Sequence, residues 1–413
     1  MRTLAPHTEA DPAALLVTFL ALFGNAVGAG PHARVGAARH AARLYPCIVG
    51  NTARARKGQS FAEIASIFEL ADPAWWGAAR AGGLASGEGI IARVHDTAGT
   101  TPVEKRALFY EPEFSRTLAA AGRETCTLSA VLRDAWDSGD LAVTTRANPL
   151  RATGAHVGVV AHVTVDELRA RLPNLEIANG FANRFLFVCA RRSQLLPSGG
   201  SLDDAERCRL GDRVRAALSV ARGHAVLRRT PAADALWGEM YCALPDPAGL
   251  VGAVTARADA QLLRLSLVYA LLDGAYFIDV PHIRAAAAVW DYANTSAAYL
   301  FDRPPRDRVA ERLLAALREA SLGGLSREAQ HALFNRNETA ETIDAARKQL
   351  VQRGLAEERT EPGSGRRPRV LYAVLPLTKE RRNERRGSRM TGGAQGAVGW
   401  LARRVRALAP RRA

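Results

Sequence analysis

Four short apolar runs, at residues 44–49, 106–110, 156–161 and 185–188, constrain this chain more than any other feature. Each has the length of one strand, and several turns of helical periodicity separate each run from the next. Strands that far apart are not joined as hairpins. They need crossover helices, which make the sheet parallel and cover both of its faces. The expectation is an α/β fold with helices on both sides of one sheet.

The pattern then changes twice. Residues 201–304 have no strand-like run and show long helices rich in Ala, Leu and Arg, at 255–272 and 281–301. Residues 305–376 read as a winged helix. Val309, Leu313 and Leu317 share one helical face, Ser326 and Thr339 stand where helix caps belong, and Gly354 stands where a helix running to Arg353 would stop. Strand-like runs at 355–359 and 369–375 then flank Pro362-Gly-Ser-Gly365, as a hairpin wing would. Arg347, Lys348 and Arg353 on the helix and Arg366, Arg367 and Arg369 on the wing suit DNA contact, although basic helix faces are often only solvated. The expected division is an α/β core at 1–200, a helical extension at 201–304, a winged helix at 305–376 and a tail at 377–413.

Lys+Arg 56 against Asp+Glu 41 leaves a net charge of +15, which favours a polyanionic partner. From Lys379 onward, 11 basic residues face only Glu380 and Glu384, so +9 of that charge lies in the tail. Its Gly- and Ser-rich composition predicts disorder and sequence-independent DNA contact. The 5 cysteines are scattered without C-x-x-C spacing, which argues against a disulfide framework or a zinc site. The apolar stretch at 13–23 is too short to span a bilayer, and a cytoplasmic location is expected.

Chemistry concentrates after the first strand. Gly50-Asn-Thr-Ala-Arg-Ala-Arg-Lys57-Gly58-Gln-Ser60 runs into a helical pattern from Phe61 to Leu70. A strand, a small-residue loop holding a Lys, and a hydroxyl at a helix start can converge on phosphate and its magnesium. Only 4 of the 56 basic residues are Lys, yet one stands here, where a compact ammonium suits phosphate. The match to G-x-x-x-x-G-K-[ST] is imperfect, because Gly58 follows Lys57 and Gln59 separates it from Ser60. A basic surface loop is the plainer reading.

Further along, the strand ending in Glu111-Pro-Glu113 resembles a magnesium-holding Walker B carboxylate, or simply an exposed strand end. Gly87-Glu88-Gly89 could aim one carboxylate at an attacking water, or be a solvated turn. His162, closing the strand at 156–161, could touch a γ-phosphate or be hydrogen-bonded structure. Arg184, ahead of the strand at 185–188, could reach a neighbouring subunit's nucleotide as an arginine finger or cover a sheet edge.

Taken in order, these segments, together with Thr127-Leu-Ser-Ala-Val-Leu-Arg-Asp-Ala-Trp136, resemble a poorly characterised family of bacterial, phage and plasmid replication proteins within the RecA-like P-loop helicase superfamily. The similarity covers roughly residues 13–300. It implies a RecA-like ATPase core binding ATP and Mg2+. It further implies phosphate and magnesium contacts from Lys57 and Ser60, a catalytic Glu88, Walker B function for Glu111 or Glu113, a sensor role for His162 and a finger role for Arg184. The function expected is that of an ATP-dependent helicase-like replication protein of a mobile element, acting on DNA as a homo-oligomer or ring. The alternative is a DNA-binding initiator or regulator that does not hydrolyse ATP.

Overall fold

The computed structural model describes residues 1–51, 55–96, 104–123, 125–144, 149–245, 249–302, 308–320, 324–334, 338–352, 355–360 and 369–373. The chain divides into two compact units, the first Met1–Asp302 and the second Arg303–Gly396.

The first unit opens with helix α1 (Pro12–Val27), the antiparallel pair β1 (His32–Val35) and β2 (Ala38–Ala41), and strand β3 (Tyr45–Val49). Helices α2 (Lys57–Ala71) and α3 (Pro73–Ala79) lead to β4 (Arg80–Ala81), and α4 (Gly87–Val94) precedes β5 (Arg106–Glu111). Helices α5 (Phe114–Ala121) and α6 (Leu128–Asp137) and a short pair, β6 (Leu141–Val143) with β7 (Leu150–Ala152), come before β8 (His156–Val163). Helices α7 (Val165–Arg171) and α8 (Asn174–Ala178) then lead to β9 (Phe185–Cys189).

Five of these strands form one sheet in the order β4-β5-β8-β3-β9, parallel throughout. The chain leaves β3 for the far edge at β4, walks back through β5 and β8, and passes β3 to reach β9. Right-handed crossovers require the outward and returning connections to lie on opposite faces. The core obeys this. Ile48, Leu108, Val160, Leu186 and Val188 pack with Phe61, Ile64, Phe68 and Trp75 of α2 and α3, while Cys47, Val49, Phe109, Val159 and Phe187 pack with residues of α4 to α7. Successive strand residues alternate between the two clusters, as a pleated strand buried on both sides must. This mixed α/β architecture is compatible with a RecA-like or Rossmann-type core, and the four expected strands are present with one- or two-residue shifts at their ends.

Helix α1 lies on the first face and is pinned by one polar residue. Buried Asn25 donates to the carbonyls of Ala107 (3.1 Å) and His156 (3.0 Å) and accepts from Trp75 Nε1 (3.1 Å). Such complete pairing removes the penalty of burying an amide.

Helices α9 (Asp204–Arg222), α10 (Pro231–Cys242), α11 (Gly249–Thr255), α12 (Ala258–Leu272) and α13 (Val280–Phe301) complete the unit, with α9, α12 and α13 contributing to the first core cluster. Helix α13 covers the edge strand β9, Ser296 Oγ accepting from Cys189 N (3.1 Å) and Tyr292 Oη donating to Cys189 O (2.7 Å). Two expectations need correction here. The helix expected at 255–272 breaks after Thr255, whose hydroxyl bonds back to Val251 O at 2.7 Å, and Arg257 (φ −107°, ψ 33°) is not helical. The supposedly strand-free region also contains β10 (Arg228–Arg229) and β11 (Phe277–Ile278), a parallel pair too short to leave a period in the sequence.

In the second unit, α14 (Arg308–Glu319), β12 (Leu325–Ser326), α15 (Arg327–Leu333), α16 (Ala340–Gln352), β13 (Ala356–Thr360) and β14 (Arg369–Ala373) enclose a small core of Val309, Leu313, Leu317, Phe334, Ile343 and Leu350. Its sheet is antiparallel in the order β12-β14-β13. Ser326 caps α15 by accepting from Ala329 N, and Thr339 accepts from Thr342 N, both at 3.2 Å. Arg353, Gly354, Arg366, Arg367 and the tail lie outside the described residues. Among the described residues no helix is long and apolar enough to cross a membrane.

Candidate nucleotide site

In open parallel sheets, ligands bind beyond the carboxyl ends of the strands, where neighbouring strands send their chains to opposite faces. That condition is met between β3 and β8. Strand β3 continues into α2 on the first face, and β8 into α7 on the second. Gly50, Lys57 and Ser60 follow β3, His162 is the penultimate residue of β8, and Tyr110 and Glu111 end β5.

Gly50 has no space for a side chain, since a Cβ there would stand 2.5 Å from Ala55 Cβ and 3.2 Å from Ala190 O. Helix α2 begins at Lys57, ahead of the expected start near Phe61. The preceding Arg56 takes the left-handed conformation (φ 54°, ψ 31°), alone among the described non-glycine residues. That costs about 1–2 kcal/mol. Its guanidinium is tied to buried Glu9 (Nε–Oε2 2.5 Å), which holds the turn.

Lys57 Nζ donates to Gly50 O at 3.1 Å. Burial lowers its pKa, and Glu167 and Cys47 act in the opposite sense. Ser60 is therefore in the first turn of the helix instead of opening it; it is fully buried, and its Oγ donates to Lys57 O at 2.6 Å. Gly58 is exposed and a Cβ there would meet nothing within 4 Å, so nothing in this fold calls for glycine at that position.

His162 is inside β8 and not at its end, paired with Ile48 of β3 and facing α2. It is 1% exposed, and burial first, then Lys57, press its pKa down to about 3, so its ring is neutral near pH 7. Nδ1 lies 3.5 Å from Tyr110 Oη, and Nε2 is buried with no hydrogen-bond partner among the described residues. Tyr110 stacks on Phe61 of α2 at 3.6 Å with planes 3° apart, and its burial raises the phenol pKa to about 12.

The carboxylates are placed differently from one another. Glu111 is buried, accepting from Leu84 N (2.8 Å) and Thr117 Oγ1 (3.4 Å), and so ties the segment after β4 to the end of β5. Glu113 is exposed and pairs with Arg116 at 2.9 Å. Glu88 lies in the first turn of α4 and not in a turn, because Ser86 caps that helix through Gly89 N; its Oε1 accepts from Thr127 Oγ1 at 3.0 Å. Arg184 precedes β9, so parallel pairing puts it at the amino edge of the sheet, opposite the Lys57 loop. It is 7% exposed and bound to Asp137 (2.7 Å), Asn183 Oδ1 (3.1 Å) and the Gly180 carbonyl.

The structure thus brings Gly50, Lys57, Ser60 and His162 together at the carboxyl ends of β3 and β8, with Glu111 on the opposite face of the same edge. Tyr110 and Phe61 had no assigned role in the sequence, where aromatics at helix and strand positions look like ordinary core. Glu167 also went unread, although Thr164-x-x-Glu167 has the spacing of a capping box and forms one.

No group of three His, Cys, Asp or Glu able to hold a metal occurs among the described residues. Magnesium would have to arrive with the phosphates, which normally supply most of its ligands beside waters and one or two protein oxygens. Ser60 Oγ and Glu111 have the oxygen chemistry for that and spare lone pairs, whereas Glu113 faces solvent. Neither the protein-family models nor the curated proteins compared with this chain gave a match.

Proposed function

We propose that this chain is a RecA-like P-loop ATPase that couples ATP hydrolysis to DNA binding or remodelling, in the manner of a cytoplasmic replication protein of a mobile element working as an oligomer or ring. The observation that supports it best is the pairing of Lys57 with His162 at the switch point. A neutral imidazole whose buried Nε2 has no partner among the described residues stands beside an ammonium that among them rests on one carbonyl. Both have capacity to spare for a phosphate oxygen.

In this reading Lys57 exchanges the Gly50 carbonyl for phosphate, and the amino end of α2 adds its N–H groups and dipole. Bound magnesium, held by Ser60 and Glu111, would neutralise phosphate charge. Glu88 orients or deprotonates the attacking water once freed from Thr127. His162 reports phosphate to β5 through Tyr110. Action of Arg184 on a neighbour's phosphate requires its pair with Asp137 to open. In the second unit the helix pair and three-stranded sheet support a winged helix. There exposed Lys348 is the DNA contact, because Arg347 is 12% exposed and already paired with Asp344 (3.3 Å) and Glu358 (3.0 Å).

The closed states of Glu88 and Arg184 favour one rival, a DNA-binding regulator that binds ATP without turnover. Phosphate release by the full-length protein, measured with and without magnesium and single-stranded DNA, separates the two. Magnesium-dependent, DNA-stimulated turnover supports the motor; binding without turnover supports the regulator.

A further inference from the structure

The opposite edge of the same sheet holds a second concentration of charge. Arg43 stands two residues before β3, and Ala155 and Arg184 immediately precede β8 and β9, so they share the amino edge. There the end of α6, the β1–β2 pair and α12 enclose a cavity of about 720 Å³. Its walls present Arg39, Arg43, Arg257 and Arg264 against Asp137 and Asp140.

Most of these groups are committed. Asp137 is neutralised by Arg184 (2.7 Å) and Arg257 (3.1 Å), and Asp140 accepts from Gly154 N at 2.9 Å. Arg43 spends its terminal nitrogens on the carbonyls of Asp137, Ser138 and Ala155. The Nε of Arg43 is buried without a partner among the described residues, and Arg264 is the least committed of the four. It is 1% exposed and lies 3.5 Å from the Trp136 ring centre. Among the described residues its Nη1 reaches only Arg43 O (3.2 Å) and its Nε has no partner. Burial, then Arg43, disfavours its charge, yet a guanidinium does not deprotonate in proteins. His40 Nδ1 is likewise buried and unpartnered, and that ring is kept neutral, mainly by its own burial and next by Arg264.

An unpaired buried cation is costly, and the missing counter-charge defines the ligand. Four arginines against two carboxylates leave an excess of two positive charges on the walls. The guanidinium fork matches phosphate oxygens, and the cavity has the size of small-ligand sites. A phosphodiester inside a polynucleotide, flanked by sugars, would not reach a fully buried Arg264, whereas a terminal phosphate would. We propose that this cavity is a second anion site taking a dianionic phosphate monoester, with Arg264, Arg257 and Arg39 as its contacts. The phosphate can belong to a small molecule or to the 5′ end of a nucleic acid strand.

The test titrates full-length protein with inorganic phosphate at constant ionic strength, chloride serving as the reference, and reads the shift in thermal midpoint. Lys57→Ala removes the competing crevice, and Arg39→Gln and Arg257→Gln, at partly exposed positions, spare the buried Arg264. The expected result is a saturable upward shift kept in Lys57→Ala and weakened at least about tenfold in affinity in each arginine variant. Loss of the shift in Lys57→Ala, its persistence in both folded arginine variants, or no saturable shift at all overturns the proposal. Fluorescence anisotropy with a 5′-phosphorylated strand and its 5′-hydroxyl twin then assigns the source. Tighter binding of the phosphorylated strand, lost in Arg39→Gln, identifies a strand end; equal binding beside a saturable phosphate shift identifies a small ligand.

Discussion

The two edges of the central sheet handle positive charge in opposite ways. At the carboxyl edge, Lys57 makes one hydrogen bond among the described residues, next to a neutral His162 whose Nε2 has no partner among them. At the amino edge, Arg43 and Arg184 are locked by carbonyls and Asp137, and Trp136 lies beneath the guanidiniums of Arg264, Arg257 and Arg184. Under the proposed function Lys57 meets a transient ligand, and a loose hold suits that role. Groups that also support the fold are held by several partners, so mutation there unfolds before it informs. A compact ammonium among many arginines accords with the proposed phosphate role of Lys57.

Substitutions should separate the edges, and the largest effect belongs to Trp136. It is fully buried, and Trp136→Ala should cost about 3–5 kcal/mol in urea unfolding; a loss under about 1 kcal/mol would mean the amino edge is not structural. Arg184→Ala should cost about 1.5–3 kcal/mol, since charged hydrogen bonds are lost from a buried site. A variant of unchanged stability that loses only turnover would instead favour the finger role.

Acid should act on the neutral histidines. The folded pKa of His162, about 3, is below the ordinary value of 6.5, so the unfolded chain takes the proton first. Stability is then full above about pH 6.5 and falls as pH drops, by about 1.4 kcal/mol per pH unit for one such group. Buried His156 shifts in the same direction. Between pH 6.5 and 5, above most carboxylate titration, unfolding midpoints should fall, and His162→Gln should flatten the slope; an unchanged slope would place His162 in water. The last comparison concerns Gly50, in the loop, and Gly58, within α2, where the smallest effect falls. Gly50→Ala should destabilise by about 1–3 kcal/mol through overpacking. Gly58→Ala, in open space within α2, should be neutral or gain up to about 1 kcal/mol. Equal responses would remove the distinction drawn between the two positions.

Much of this fold was legible because strands buried on both faces leave uninterrupted apolar runs, as at 185–189, and because caps such as Ser326 declare helix starts. The short edge strand Arg80–Ala81 and the pair 32–35 with 38–41 were not legible, being brief and partly charged. At the crevice, Lys57 and Ser60 could be found from a strand-loop-helix pattern. The left-handed Arg56 could not, since its conformation depends on Glu9, a tertiary partner. For Arg184 the sequence left a finger and an ion pair at a sheet edge both open, because its partner, Asp137, is distant in sequence.

The central claim is that Lys57 faces a phosphate. Equilibrium binding of ATP with magnesium to the full-length protein and to Lys57→Ala, with circular dichroism and thermal midpoint showing the variant folded, tests it most directly. The account predicts saturable binding that the variant weakens by about 10- to 100-fold, the worth of a charged hydrogen bond. Equal affinity in a folded Lys57→Ala protein, or no binding by the unaltered chain, would contradict it.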